Sequence, residues 1–200
     1  MGILRIYTDG ACSGNQNQIN TGGWGAILEY GGSVKELSGN QRNTTNNRME
    51  LTAVIEAFKA LTRSGVTCHV FTDSAYVADC FRKRWYMNWR KNGWKTAGKK
   101  PVENQDLWQE LLDLVDKHAV NFFRVKGHVN LDSPKTNLDE LYDKFVEWNG
   151  KAFSRKEFEY IVLMNNRADE LATDAAALLE AENKIDDPDD NPEPPFDLDE

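Results

Sequence analysis

The order of apolar patterns along the chain constrains its fold more than any other feature. Residues 3–8 alternate apolar and polar side chains, and 22–30 and 34–39 follow with short connections, which predicts a three-stranded antiparallel meander. Two further strands, 66–72 and 120–125, each follow a helical segment. Because parallel neighbours need crossover connections, we expect an α/β fold with a mixed five-stranded sheet, the meander plus two parallel strands, flanked by helices.

The helices are predicted from apolar side chains spaced three and four residues apart. Asn46 is placed to cap the first of them, which ends before Ser64-Gly65. A last helix includes residues 169–179. The apolar positions of the others are Leu51, Val54, Ile55, Phe58 and Leu61, then Tyr76, Val77, Cys80 and Phe81, then Leu107, Trp108, Leu111, Leu112 and Val115.

Acidic charge is concentrated at the C-terminal end. Residues 182–200 hold nine acids, one lysine and four of the six prolines, whereas the rest of the 200-residue chain balances 23 acids against 23 bases. Such a segment buries too little apolar surface to offset the conformational entropy of the chain. We therefore predict a single domain over 1–181 and a disordered acidic tail over 182–200.

Composition also excludes several classes of protein. The longest apolar run, Tyr160–Met164, is too short to span a bilayer, and residues 1–6 do not form a charged leader before an apolar segment. The three cysteines, Cys12, Cys68 and Cys80, are odd in number and lack paired spacing, which argues against a disulfide framework or a thiolate metal site. We therefore expect a cytoplasmic protein that does not contact membranes.

Four acidic residues stand at the ends of predicted elements or near helix starts. Asp9 follows the first strand, Asp73 follows the fourth, Glu50 lies one turn into the first helix, and Asp169 opens the last helical stretch. If the first and fourth strands are parallel neighbours, Asp9 and Asp73 emerge at the same edge of the sheet. Four converging carboxylates repel unless cations neutralise them, and two Mg²⁺ ions would do so. Each acid taken alone also fits a solvated strand end or a helix cap.

The segment 82–100 combines basic and aromatic side chains. It contains eight bases and no acid, interleaved with Trp85, Trp89 and Trp94. Bases in such numbers are suited to phosphate contacts, with binding that weakens as salt rises. The alternative is that Trp85 and Trp89, four residues apart, pack a small helix while the lysines are only solvated.

Five motifs in order carry a family resemblance. They are Tyr7-Thr8-Asp9-Gly10-Ala11-Cys12-Ser13-Gly14-Asn15, Thr44-Thr45-Asn46-Asn47-Arg48-Met49-Glu50-Leu51, Phe71-Thr72-Asp73-Ser74, Val125-Lys126-Gly127-His128, and Asn166-Arg167-Ala168-Asp169-Glu170-Leu171-Ala172. Together they closely resemble ribonuclease HI, the type 1 ribonuclease H family. The stretch 85–104 resembles the basic protrusion of bacterial and eukaryotic members. The resemblance covers 1–129 and about 165–181.

The resemblance implies an endonuclease that hydrolyses the RNA strand of RNA:DNA hybrids and leaves 5′-phosphate and 3′-hydroxyl ends. Asp9, Glu50, Asp73 and Asp169 match the family's metal-binding tetrad, which holds two Mg²⁺ ions, with Mn²⁺ as an alternative. In the two-metal scheme one ion activates the attacking water and the other stabilises the leaving oxygen. His128 matches a mobile-loop histidine that assists in protonating the leaving group or in releasing product.

The resemblance also assigns substrate-binding residues. The residues that match contacts to the RNA strand are Cys12, Ser13, Asn15, Asn46, Asn47 and Glu50. The residues that match contacts to the DNA strand are Thr45 and Asn104 in a phosphate pocket, Trp85 and Trp89 in an aromatic channel, and the bases of the protrusion, including Lys95. One departure is Asn43, where relatives commonly have an arginine of that pocket. Arg42 lies beside it, and the sequence leaves open whether Arg42 substitutes.

Residues 130–164 form an insertion between the histidine and the last aspartate. Its helical patterns are Leu138, Leu141, Tyr142, Phe145 and Trp148, then Phe158, Ile161 and Val162 after a Ser154–Glu157 capping box. We expect these helices to cover apolar surface and to extend the last helix backward. A lid or a partner site beside the active centre is the alternative.

Two other functions are consistent with parts of the sequence. A non-catalytic hybrid-binding module would not need all four acids, and an integrase or transposase-like enzyme would not need the Asn46-Asn47 motif or the basic protrusion. We expect a monomer that binds RNA:DNA hybrid, with the insertion or the tail as a protein contact. The tail could also serve as a solubilising end or as a nucleic-acid mimic that occupies the basic segment.

Overall fold

The computed structural model describes residues 2–13 and 20–185. The described residues form five strands and six helices. In chain order these are β1 (Leu4–Ser13), β2 (Thr21–Tyr30), β3 (Ser33–Arg42), α1 (Asn46–Lys59), β4 (Thr67–Thr72), α2 (Ala75–Arg82), α3 (Trp85–Lys91), α4 (Gln105–Val115), β5 (Ala119–Arg124), α5 (Leu138–Asn149) and α6 (Arg155–Ile185).

The strands form one mixed sheet in the order β3-β2-β1-β4-β5. The pairs β1–β2 and β2–β3 are antiparallel, and β1–β4 and β4–β5 are parallel, which confirms the predicted α/β fold. The β1–β4 ladder runs from Leu4 opposite Cys68 to Thr8 opposite Thr72. Asp73 follows the end of β4, but Asp9 lies within β1, which stays paired with β2 as far as Ser13, so the prediction that the first strand ends before Asp9 is wrong. Asp9 and Asp73 are nevertheless neighbours, because each directly follows the last β1–β4 pair.

The sheet separates two apolar cores because successive side chains of a strand point to opposite faces. On one face, Ile6 of β1 and Val70 of β4 pack beneath α1, α2 and α4. On the other face, Tyr7 and Phe71 pack beneath α6, with α5 at the side of the sheet. The helices that carry the predicted acids thus lie on different faces: α1 carries Glu50, and α6 carries Asp169.

The insertion completes the second core. Phe145 of α5, Phe153, and Phe158 at the start of α6 are all buried, and the Phe145 ring contacts the rings of the other two. Phe153 also packs against Phe71 of the sheet, with ring centroids 5.4 Å apart. The expectation that the insertion covers apolar surface and extends the last helix backward is therefore confirmed.

The C-terminal end of α5 is attached to the outer strand β5. The Asn149 side chain accepts a hydrogen bond from the Arg124 backbone N–H, at 2.9 Å, and donates one to the Arg124 carbonyl, at 2.8 Å. The Arg124 guanidinium lies 4.3 Å from the centre of the Trp148 ring. One side-chain amide thus satisfies both backbone groups of the last residue of β5.

Two helix ends differ from the predictions. The N-cap of α1 is Thr45, whose hydroxyl accepts a hydrogen bond from the Arg48 backbone N–H, so Asn46 is the first helical residue and not the cap. Helix α6 continues to Ile185, past the predicted start of the tail at 182. The reason is local: Ala181, Glu182 and Lys184 all favour helix. The rest of the predicted tail, 186–200, lies outside the described residues.

The prediction of free thiols is confirmed. Cys12, Cys68 and Cys80 are free cysteines. Among the helices of the described ranges, none is both long enough and apolar enough to cross a bilayer.

Candidate active site

Three carboxylates converge just beyond the last pair of the parallel β1–β4 ladder. Oxygen atoms of Asp9, Glu50 and Asp73 all lie within 4.8 Å of one another. Gly10 allows this approach, because a Cβ at that position would lie 2.4 Å from the Glu50 backbone nitrogen. The Gly10 N–H also donates a 2.7 Å hydrogen bond to Asp9 Oδ1. The backbones of β1 and α1 are thereby held in close contact.

Two of the three carboxylates are almost completely buried. Asp9 and Glu50 are each only 4 % exposed, and Asp9 Oδ2 and Glu50 Oε2 are buried without a hydrogen-bond partner among the described residues. Burial raises the pKa of Asp9 to about 8, with further contributions from the charges of Asp73 and Asp169. Burial and the charge of Asp9 raise the pKa of Glu50 well above its usual range. A bound cation would favour the ionised form of these carboxyl groups, so their partnerless oxygens fit hard divalent cations such as Mg²⁺.

We expect the cation-free protein to become less stable as pH rises from about 4 to 8. The unfolded Asp9 carboxyl titrates near 3.8 and the folded one at about 8, so over this range the folded state keeps a proton that the unfolded state has lost. One pKa unit corresponds to about 1.4 kcal/mol, so a decrease of several degrees in melting temperature is expected.

Thermal unfolding in EDTA at pH 5 and pH 8 measures this effect, with Asp9→Asn as the comparison. The variant should lose less stability between the two pH values and melt above the wild type at pH 8. Added Mg²⁺ should raise the melting temperature of the wild type at pH 8 more than that of the variant. Equal pH dependence in the two proteins would contradict the expected origin of the effect.

Asp169 and His128 complete the polar cluster. Asp169 lies on α6, and its Oδ2 is 3.0 Å from His128 Nδ1. It stands outside the group formed by the other three carboxylates, but its charge raises the pKa of Asp9, Glu50 and Asp73. The imidazole is 75 % exposed at the rim of the site. The structure therefore brings all five predicted catalytic residues to one place.

A second aspartate has a similar sequence context. Leu138-Asp139-Glu140-Leu141 of α5 resembles Ala168-Asp169-Glu170-Leu171 of α6. The Asp139 side chain is 87 % exposed and pairs with Arg155. Of these two aspartates, Asp169 is the one whose charge acts on the three clustered carboxylates.

Comparison with known proteins agrees with this arrangement. The RNase H family model matches residues 2–147, which is more than half of the chain. The chain belongs to the RNase H family. It is thus an enzyme of the ribonuclease H class.

A ribonuclease H of Chlorobium luteolum is 53 % identical over 145 residues, which are 72 % of this chain and 95 % of that protein. A ribonuclease H of Moorella thermoacetica is 52 % identical, covering 69 % of this chain and 88 % of its own length.

Solved structures show the same fold. LC9-RNase H1, described as a type 1 RNase H with the type 2 active-site motif, has a TM-score of 0.63 and 30 % sequence identity, with coverage of 88 % of this chain and 72 % of that chain. The family match ends at residue 147, within α5, and therefore includes Asp139 but not Asp169. The proximity of Asp169 to the clustered carboxylates is therefore an observation of the geometry and not of the family match.

The described residues that were predicted to contact the RNA strand lie in β1 and in the first turns of α1. Cys12 Sγ donates to the Thr44 carbonyl, at 3.6 Å, and Asn46 Nδ2 lies 3.5 Å from Glu50 Oε1. The Ser13 hydroxyl lies 2.9 Å from that of Thr21 and donates to Glu180 of α6 at 3.2 Å. Asn47, in the first turn of α1, is partly exposed. Asn15 lies outside the described residues.

The predicted phosphate pocket contains an arginine that the sequence analysis did not assign. The Arg48 backbone N–H donates to the Thr45 hydroxyl, and Arg48 Nη1 donates to Asn104 Oδ1 at 3.3 Å. Arg48 also forms a two-point ion pair with Asp106. It therefore connects the two predicted pocket residues. Its position three residues after Thr45, one helical turn along, was the signal available in the sequence.

The two tryptophans of the predicted channel differ in their surroundings. Trp85 is 38 % exposed, and the Lys83 ammonium lies 5.4 Å from the centre of its ring. Trp89 packs against Trp108, with ring centroids 5.6 Å apart. Both line a groove of about 500 Å³ that also includes Lys95. The core-packing alternative therefore holds for Trp89, which packs against the first core, whereas the Trp85 ring faces the surface.

The basic segment 82–100 is less basic than its composition indicates. Arg82 and Lys83 pair with Asp79, and Arg90 pairs with Asp116. Three of its eight bases thus pair with two acids outside the segment, which offset two of its positive charges.

Proposed function

We propose that this protein is an endonuclease that hydrolyses the RNA strand of RNA:DNA hybrids with the help of two divalent cations, leaving 5′-phosphate and 3′-hydroxyl ends. The observation that carries the proposal is the convergence of Asp9, Glu50 and Asp73 within 4.8 Å, with Asp169 adjacent, in a chain of the RNase H family. The relatives named ribonuclease H support the same substrate.

The carboxylates would hold the cations, since all the donors are hard oxygens that suit Mg²⁺, with Mn²⁺ as an alternative. When bound, the ions would lower the pKa of the attacking water and screen the charge that develops on the phosphate. His128, at the rim, is placed to give a proton to the leaving oxygen or to assist product release.

Selectivity for a hybrid requires different contacts to the two strands. We assign Cys12, Ser13, Asn15, Asn46 and Asn47 to the 2′-hydroxyls of the RNA strand, which are accessible from the shallow minor groove. The DNA strand would contact Thr45 and Asn104, with Arg48 holding the pocket together, and then Trp85, Trp89 and Lys95. Phosphate contacts in the basic segment would make affinity fall as salt rises.

The test uses the purified full chain with Mg²⁺ and three labelled duplexes: RNA:DNA hybrid, duplex DNA and duplex RNA. We expect cleavage of the RNA strand of the hybrid alone. Because the products should carry 5′-phosphates, a kinase should label their 5′ ends only after treatment with a phosphatase. The control Asp73→Asn should bind the hybrid and leave it intact. Binding without cleavage by the wild type would favour the hybrid-binding module, and cleavage of duplex DNA would favour the integrase-like enzyme.

A further inference from the structure

His128 has a backbone conformation that its neighbours must maintain. Its φ is +53°, in the left-handed region that residues other than glycine rarely adopt. The loop containing it lies between Val125, which is 1 % exposed, and Val129, which is 7 % exposed. Both valines belong to the second core, so the exposed imidazole projects from a segment that is anchored on either side.

Helix α6 binds the backbone directly after the histidine. Asn166 Nδ2 donates a 2.6 Å hydrogen bond to the Val129 carbonyl. Asn166 lies three residues before Asp169, so both side chains project from neighbouring positions of the same helix. One helix therefore supplies the carboxylate that contacts His128 and the amide that fixes the next peptide.

The first residues of the insertion close the loop on itself. Thr136 Oγ1 donates to the Asn130 carbonyl at 2.6 Å, and the Thr136 N–H donates to the Ser133 carbonyl at 3.0 Å. The Asp132 N–H donates to Asn130 Oδ1, also at 3.0 Å. The segment 130–136 is thus a compact turn that continues directly from Val129.

We propose that Asn166 and Thr136 are positioning residues that hold His128 against Asp169, so that the imidazole is in place before substrate binds. The proposal rests on the proposed function, since it concerns the residue that assists RNA cleavage. A correctly placed proton donor accelerates such reactions by about 10²- to 10⁴-fold. If the loop that carries His128 becomes more mobile, the imidazole is less often in place and part of this acceleration is lost.

The kinetic test compares Asn166→Ala and Thr136→Val with the wild type on RNA:DNA hybrid. We expect kcat to fall by about tenfold while KM stays within about twofold, because the loop acts on the chemical step. Thr136→Ser keeps the hydroxyl and should retain wild-type kcat. Asp132→Ala is the matched control. It changes the same loop but keeps the backbone N–H of residue 132, which donates a hydrogen bond to Asn130 Oδ1.

A double-mutant cycle separates positioning from general destabilisation. In a His128→Ala background, Asn166→Ala and Thr136→Val should cause no further loss of kcat, because they act through the missing imidazole. Additive losses, or an unchanged kcat in the single variants, would overturn the proposal. If Asn166→Ala does not fold, Thr136→Val carries the same cycle.

Hydrogen exchange in the absence of substrate gives a readout that does not depend on activity. Backbone amides of 129–132 should exchange faster in both variants than in the wild type. Equal protection would also overturn the proposal. If the wild type does not cleave hybrid but exchange in 129–132 is faster in both variants, the proposed function is wrong. The structural role of Asn166 and Thr136 in holding the loop would still be supported.

Discussion

Replacing Asp169 with asparagine is expected to lower kcat for hybrid cleavage by a factor on the order of 10³, whereas replacing Asp139 should leave it unchanged. The first change removes a charge that acts on Asp9, Glu50 and Asp73 and that contacts His128. The second removes a side chain that is 87 % exposed and paired with Arg155. The two substitutions are chemically identical and lie in similar Asp-Glu-Leu contexts, so each is the control for the other.

Steady-state cleavage of a labelled hybrid in Mg²⁺ measures both variants, and gel-shift affinity in Ca²⁺ establishes that they still bind substrate. Binding should be nearly unchanged in both, because the lost interaction is made chiefly in the transition state. Loss of activity in Asp139→Asn with full activity in Asp169→Asn would mean that α5, not α6, supplies the fourth carboxylate. That result would contradict the geometry described above.

Substituting alanine for Gly25 is expected to destabilise the fold and to abolish most activity. Gly25 lies opposite Asp9 in the β1–β2 ladder, and a Cβ there would lie 2.3 Å from the Ala168 carbonyl oxygen of α6. Since that oxygen belongs to the helix backbone, the helix itself must move. We expect a loss of roughly 2 to 3 kcal/mol, or about 5 to 10 °C in melting temperature, as for other overpacked sites. Ala168 precedes Asp169, so the carboxylate moves with the helix.

Thermal unfolding and hybrid cleavage, measured on the same preparation, test this expectation. Gly98→Ala is the matched control for stability, because a Cβ there would be 3.9 Å from its nearest neighbour, Thr96 Oγ1. Its melting temperature should equal that of the wild type. A Gly25→Ala protein as stable as the control would show that α6 is not packed directly on the sheet at this point.

Strand order and the position of two acids could be predicted because they depend on local patterns. Alternation in the first 39 residues specifies an antiparallel meander, and each later strand is preceded by a helical segment, which specifies parallel neighbours. Asp9 and Asp73 directly follow the last pair of the parallel β1–β4 ladder, so their proximity follows from the topology, although β1 itself continues to Ser13. Glu50 was harder to place, since its approach depends on Gly10 and on a helix packed on one face of the sheet.

Features that depend on contacts between distant segments could not be predicted. Thr45 and Asn46 are both good caps, and only the backbone geometry selects Thr45. The link from Arg48 to Asn104 joins residues 56 positions apart. Asp139 and Asp169 have similar local sequences, and the choice between them depends on which helix crosses the sheet beside Asp9. The family resemblance favoured Asp169, and the structure gives the physical reason.

The two hydrogen bonds between the Asn149 side chain and the backbone of Arg124 also bear on self-association. A strand at the side of a sheet presents free N–H and C=O groups that another polypeptide can pair with, which promotes aggregation and domain swapping. Here the carboxamide occupies those groups at the last residue of β5, much as a neighbouring strand would. The insertion therefore hinders a second molecule from pairing with the sheet at that end of β5.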